Sequence, residues 1–200
     1  MKELKRAAQF LFENAMLKRT MRTGYAFLGS GSESAAAHSQ STAAAAVVLA
    51  QMVEAQVDME RLLKMCIFHD LPEARTGDAN AVHKLYIKRD EDRAMARALE
   101  GLPFGSELLE IHREYERGET IEAKIAQDAD QIDMIISLKE QLDTGNPEPE
   151  TWLPHVVARL RLPEAKGLAQ AILETHWASW WMEELLGGEG EAEGSEGQGQ

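Results

Sequence analysis

The sequence predicts an all-α protein, a multi-helix bundle in one domain. Three observations point there. Apolar residues recur at helical spacing through most of the chain, strand-like alternation is nearly absent, and no proline interrupts the alanine-dense stretch before Pro72. The 200 residues are enough to enclose a core, and 44% apolar with 28% charged residues is the balance of a soluble globular protein.

The elements follow in order. Leu4 to Lys18 reads as an amphipathic helix with Leu4, Ala7, Ala8, Leu11 and Phe12 on one face. Met21 to Glu33 holds three glycines and two serines and reads as a loop. Ser34 to Val57 reads as a long alanine-rich helix, and Asp58 as the cap of a helix from Met59 to Phe68. Pro72 disfavours helical geometry at Leu71, so the chain bends or stops there. Thr76-Gly77-Asp78 is a turn. Helices are expected over Lys88–Glu100, Ser106–Arg117 and Thr120–Leu142, the last one central. After the break at Gly145–Pro149 come two more, Glu150–Arg161 and Pro163–Leu186. The folded domain is therefore placed at residues 1–186. The tail, 187–200, is rich in Gly and Glu and is expected to be disordered, because it has too little apolar surface to offset its ordering entropy.

The formal charge of -13 narrows the partners. Even without the four glutamates of the tail, 30 acids face 21 bases. Such a surface disfavours a nucleic-acid polymer, whose backbone needs clustered Lys and Arg. A small anion is still compatible, since an ion and one arginine can outweigh the mean field locally. The single cysteine, Cys66, lies in an apolar run and reads as a buried thiol. The N-terminus carries both signs of charge and lacks the pattern of an export signal. No apolar stretch approaches the ~18 residues of a membrane span. The expected setting is cytoplasmic.

The residues that carry chemistry are few. Phe68-His69-Asp70-Leu71-Pro72-Glu73 joins an imidazole to a carboxylate at a helix end, a donor pair suited to divalent ions. Alone, the dipeptide is more simply a surface pair. His38 stands in a run of small residues, where close helix approach leaves room for one large polar group. Gln127-Asp128-Ala129-Asp130-Gln131-Ile132-Asp133 sets acids in an apolar helix, with Ile125, Ala129, Ile132 and Ile136 as its stripe. Carboxylates buried there need a partner, and a metal is the obvious one. Periodicity leaves Asp128, Asp130 and Asp133 all open as its ligand.

This order of parts resembles the HD-domain phosphohydrolase superfamily. Arg22-Thr23-Gly24-Tyr25, Glu33-Ser34 before His38, His69-Asp70-x-x-Glu73, Thr76-Gly77-Asp78 and Glu122-Ala123-Lys124 ahead of Asp130-Gln131 together resemble its 5′-deoxynucleotidase family over Glu13 to Asp143. The resemblance implies one divalent ion (Co, Mn, Mg, Zn or Fe) on His38, His69, Asp70 and Asp130. It implies that Glu73 orients or deprotonates the attacking water, that Arg22 binds the substrate phosphate, and that Asp78 lies on the sugar and leaving-group side. The substrate would be a (deoxy)nucleoside 5′-monophosphate, and the protein a homodimer. Two positions depart from the family. Ala37 stands where many members have an acid, and Thr23 where some have a tryptophan involved in sugar choice.

Other readings compete. An HD hydrolase of a triphosphate, alarmone or cyclic dinucleotide is one. An iron-dependent oxygenase with two metals is another, for which His83 and His112 would be extra ligands. Lys84 and Arg113 beside them predict exposed helix faces instead. A non-catalytic nucleotide-binding module is the last. Trp177, Trp180 and Trp181 read first as packing and otherwise as a subunit contact.

Overall fold

The computed structural model describes residues 1–187, so the expectation for the acidic tail lies outside the described residues from Gly188 onward. Those residues form helices α1 to α12 and a 3₁₀ turn at Ala15–Lys18, with a single bridge between Met21 and Ser34 as the only extended pairing among them. None of these helices is long and apolar enough to cross a membrane.

The helix at Lys2–Asn14, α1, sits on the bundle's edge and is rotated away from the expected face. It buries Phe10, while Leu4, Leu11 and Phe12 are exposed. Phe10 sets that rotation by packing against Phe68 and Phe104, at centroid distances of 6.1 and 5.7 Å. The expected loop Met21–Glu33 contains one helical turn, α2 (Tyr25–Leu28). Its two ends are tied together by Arg22 N–H donating to Glu33 O (2.9 Å) and Ala35 N–H to Thr20 O (2.8 Å).

The central pair of helices is α3 (Ala35–Met52) and α9 (Ile121–Asp143), which pack on each other more extensively than any other two elements. Ser34 starts α3 by accepting from the Ala37 N–H at 3.2 Å. Its buried residues, Ala35, His38, Ser39, Thr42, Ala45, Ala46, Leu49 and Ala50, form one helical stripe. The helix ends five residues before the expected Val57, since Val53 is extended and both Val53 and Val57 then lie against the core.

Thr120 caps α9 on the Ala123 N–H. In α9, Ile125, Ala129 and Ile132 are buried as expected, but Ile136 is 44% exposed, so the helix is not apolar all round. Around this pair stand α4 (Met59–Phe68), capped by Asp58 on Arg61 N–H, and α8 (Gly105–Arg117). Gly105 lets α8 approach the end of α7 (Glu91–Leu99), because a Cβ there would meet Leu99 O at 2.3 Å. Between α4 and α7 run two single turns, α5 (Glu73–Thr76) and α6 (His83–Tyr86).

The C-terminal part holds α10 (Pro149–Val157), α11 (Pro163–Glu174) and α12 (Ser179–Gly187). The expected single helix Pro163–Leu186 is broken, with Thr175 extended. At the break, Trp177 N–H donates to Asp143 at the end of α9, 2.9 Å away.

Candidate metal centre

The bundle brings four of the expected ligands into one cluster. His38 comes from the first turn of α3. His69 and Asp70 come from the turn that ends α4, where Leu71 N–H bonds Phe68 O and Glu73 N–H bonds Asp70 O. Asp130 comes from α9. His38 Nε2 lies 3.0 Å from Asp130 Oδ1, 3.2 Å from His69 Nε2 and 3.7 Å from Asp70 Oδ2. Asp70 Oδ2 is also 3.3 Å from His69 Nε2. Ligands bound at ~2.1 Å around one ion stand about 3 to 4 Å apart. His38, His69 and Asp130 offer atoms all within 4.8 Å of one another, whereas Asp70 is near both histidines but falls outside that group. Both histidines are buried, while the Asp70 and Asp130 side chains keep 21% and 24% exposure, enough for the centre to be reached from outside.

Each imidazole is oriented through its other nitrogen. His69 Nδ1 is 2.9 Å from the Cys66 carbonyl and donates to it. His38 Nδ1 is 2.6 Å from Asp133 Oδ2. Both arrangements leave Nε2 directed at the cluster, which is how metal-binding histidines are commonly held. The three aspartates left open by periodicity are thus separated. Asp130 faces the cluster, Asp133 grips the back of His38, and Asp128 accepts the N–H groups of Arg161 and Leu162 (3.0 and 2.8 Å).

Charge is concentrated here. Burial alone would lower the His38 pKa, but its bonds to Asp130 and Asp133 outweigh that and hold it at about 10. Burial would raise Asp130, and the His38 contact reverses it to well below the usual carboxylate range. Without an ion, the acids therefore keep a proton on His38. A divalent cation answers the same negative charge, and the donor set of two imidazoles and two carboxylates suits it.

The other expected residues stand around this centre. Arg22 has Glu33 as its ion pair, 3.4 Å away. Burial opposes its charge, and the acids Asp130, Asp70 and Glu33 override this. Glu73 is buried, and burial together with Asp70 and Asp78 pushes its pKa up to about 8, against the pull of Arg89. Asp78 accepts from Thr23 twice, from the backbone N–H and, at 2.7 Å, from the hydroxyl. Asn80 in turn donates to Thr23 Oγ1 at 3.1 Å. These bonds outweigh burial and hold Asp78 below its ordinary value.

Two contributors have no clear signal in the sequence. The sequence leaves Asp133 open only as a metal ligand, not as the support of His38. Arg89 draws no reading of its own from the sequence, yet it contacts Glu73 and Gly77. His83 is exposed as expected, but His112 is only 4% exposed. Arg113 beside it was a poor guide, because adjacent helical residues point about 100° apart.

The sequence matches the HD-domain family over residues 14–172. The chain belongs to the HD-domain family. Human 5′-deoxynucleotidase HDDC2 is 31% identical over 141 residues, 68% of this chain and 68% of that protein. The 5′-deoxynucleotidase hdd1 of Schizosaccharomyces pombe is 28% identical over 181 residues, 82% of this chain and 88% of that one. Among solved structures, a conserved hypothetical protein from Pyrococcus furiosus superposes with a TM-score of 0.70 at 27% identity, covering 84% of this chain and 99% of that one. The centre described above lies wholly inside the HD domain.

Proposed function

We propose that this HD-domain phosphohydrolase converts nucleoside 5′-monophosphates, 2′-deoxy forms among them, to nucleoside and phosphate. One observation carries the reading: two histidines and two aspartates from three parts of the bundle converge near a half-buried arginine, Arg22, and a buried glutamate, Glu73. The 5′-deoxynucleotidases among its relatives support the substrate class.

His38, His69, Asp70 and Asp130 would hold one divalent ion. When bound, such an ion supplies Lewis acidity toward a phosphoryl oxygen and makes water a better nucleophile near neutral pH. Arg22 presents a planar forked donor to the phosphate, and exchanges its Glu33 contact for the substrate. Its charge also offsets what builds up on the phosphoryl oxygens during transfer. Without an ion, a pKa of about 8 keeps Glu73 mostly protonated at neutral pH; a bound cation would favour its charged form, in which it would take a proton from the attacking water. Asp78 is held by Thr23 and Asn80 on the rim, where the sugar and leaving oxygen would sit. Because Thr23 occupies the Asp78 carboxylate with its hydroxyl, the sugar is read by a small polar residue. The same reading includes a cytoplasmic homodimer, with exposed Trp180, Leu185 and Leu186 of α12 in the subunit contact.

The test is a substrate panel with ion-loaded protein: deoxy- and ribonucleoside 5′-monophosphates beside triphosphates, cyclic dinucleotides and an alarmone. Phosphate from the monophosphates supports the reading. Turnover confined to the other classes, or tight monophosphate binding without turnover, overturns it.

A further inference from the structure

Glu73 sits on a helix of four residues, too short to fix a side chain by itself. Its carboxylate is buried and needs a partner. Oε1 lies 3.4 Å from Arg89 Nη1, and Oε2 is enclosed with no hydrogen bond from the protein. The Arg89 side chain is itself only 14% exposed, so this contact is largely shielded from solvent. Its fork spans three groups: Nη1 also donates to Gly77 O at the end of α5, and Nη2 pairs with Glu91 at the start of α7. Among the described residues Arg89 is the cation paired with Glu73.

We propose that Arg89 is a positioning residue, fixing the Glu73 carboxylate relative to the metal centre. The proposal rests on the phosphohydrolase reading above. One guanidinium holds both the Glu73 carboxylate and the carbonyl of Gly77, the residue at the end of α5, so it ties both ends of that turn. A lysine keeps the charge but reaches only one acceptor at a time.

The experiment compares wild type, Arg89→Ala, Arg89→Lys and Glu91→Gln, all ion-loaded, on a nucleoside monophosphate, with crystal structures of wild type and Arg89→Ala. Loss of positioning should lower kcat for Arg89→Ala about tenfold to a hundredfold while KM stays within about threefold. Arg89→Lys should recover part of kcat. Glu91→Gln, which leaves the Glu73 contact in place, should lose far less. In the crystal, Glu73 should leave its position while His38, His69, Asp70 and Asp130 stay. A rise in KM at unchanged kcat would make Arg89 a phosphate ligand and overturn the proposal. Equal losses in Arg89→Ala and Glu91→Gln with a matching fall in Tm would reduce it to a loop clasp. An unmoved Glu73 carboxylate overturns it whatever the substrate proves to be, and absence of turnover in wild type counts against the phosphohydrolase reading alone.

Discussion

His38 and Asp133 are joined at 2.6 Å through Nδ1, while Asp130, one turn earlier on the same helix, lies 3.0 Å from Nε2 of the same ring. Residues three apart share a helix face, so α9 holds both edges of one imidazole. The carboxylate behind His38 fixes its tautomer and raises the basicity of Nε2. Asp133→Asn keeps the shape and loses the charge. It should weaken ion affinity about 10- to 100-fold, measured by calorimetric titration of stripped protein, with helix content unchanged. Unchanged affinity would mean that Asp133 serves folding only.

Stability of the ion-free protein should fall as pH rises. His38 is held at about 10 against an ordinary 6.5, so its contribution is complete below pH 6.5 and gone above about 10. Glu73 is held at about 8 against 4.5, so the folded state favours its protonated form and loses that contribution between pH 4.5 and 8. Asp130 works in the opposite sense, and its contribution fades only as pH falls below 3.8. Tm of stripped protein should therefore drop from pH 6 to pH 9, and ion uptake at pH 7 should release a proton from His38. A Tm that climbs over that range, or uptake without proton release, contradicts this electrostatic account.

Asp128 is a structural acid. It accepts from Arg161 and Leu162 where the chain turns between α10 and α11. Asp128→Ala should lower stability by about 1–3 kcal/mol, as expected for buried donors left unpaired, yet retain the ion. Asp130→Ala should do the reverse, losing the ion. Thermal melts with elemental analysis of both variants separate the two roles.

Glu73→Gln should keep the ion, since the four ligands are untouched, and lower kcat by about 10² to 10⁴, the usual range for a lost general base. Full turnover in this variant removes Glu73 from the chemistry.

What the sequence could and could not show divides along physical lines. Helix starts were legible because Ser34, Asp58 and Thr120 act within four residues of themselves, each accepting from a nearby N–H. The grouping of His38, His69, Asp70 and an α9 acid was legible only through the order of motifs, not through periodicity. Which α9 acid faces the cluster depends on how that helix is rotated against α3, α10 and α11, and local sequence does not encode that rotation. The same limit hid Phe10, whose partners lie on other elements. At the break before α12, Trp177 N–H donates to Asp143, more than thirty residues earlier. Arg89 was invisible for a related reason: its acceptors Glu73 and Gly77 O, 16 and 12 residues earlier, are brought to it only by the fold.

In the proposed mechanism, His38, His69, Asp70 and Asp130 hold an ion on which phosphate release depends. The most direct measurement is phosphate release from deoxynucleoside 5′-monophosphates by metal-stripped wild type and Asp70→Ala, each resupplied in turn with Co, Mn, Mg, Zn or Fe. Stripped wild type should be inactive, at least one ion should restore release, and Asp70→Ala should neither bind that ion nor turn over. Full activity in stripped wild type or in Asp70→Ala would contradict the mechanism.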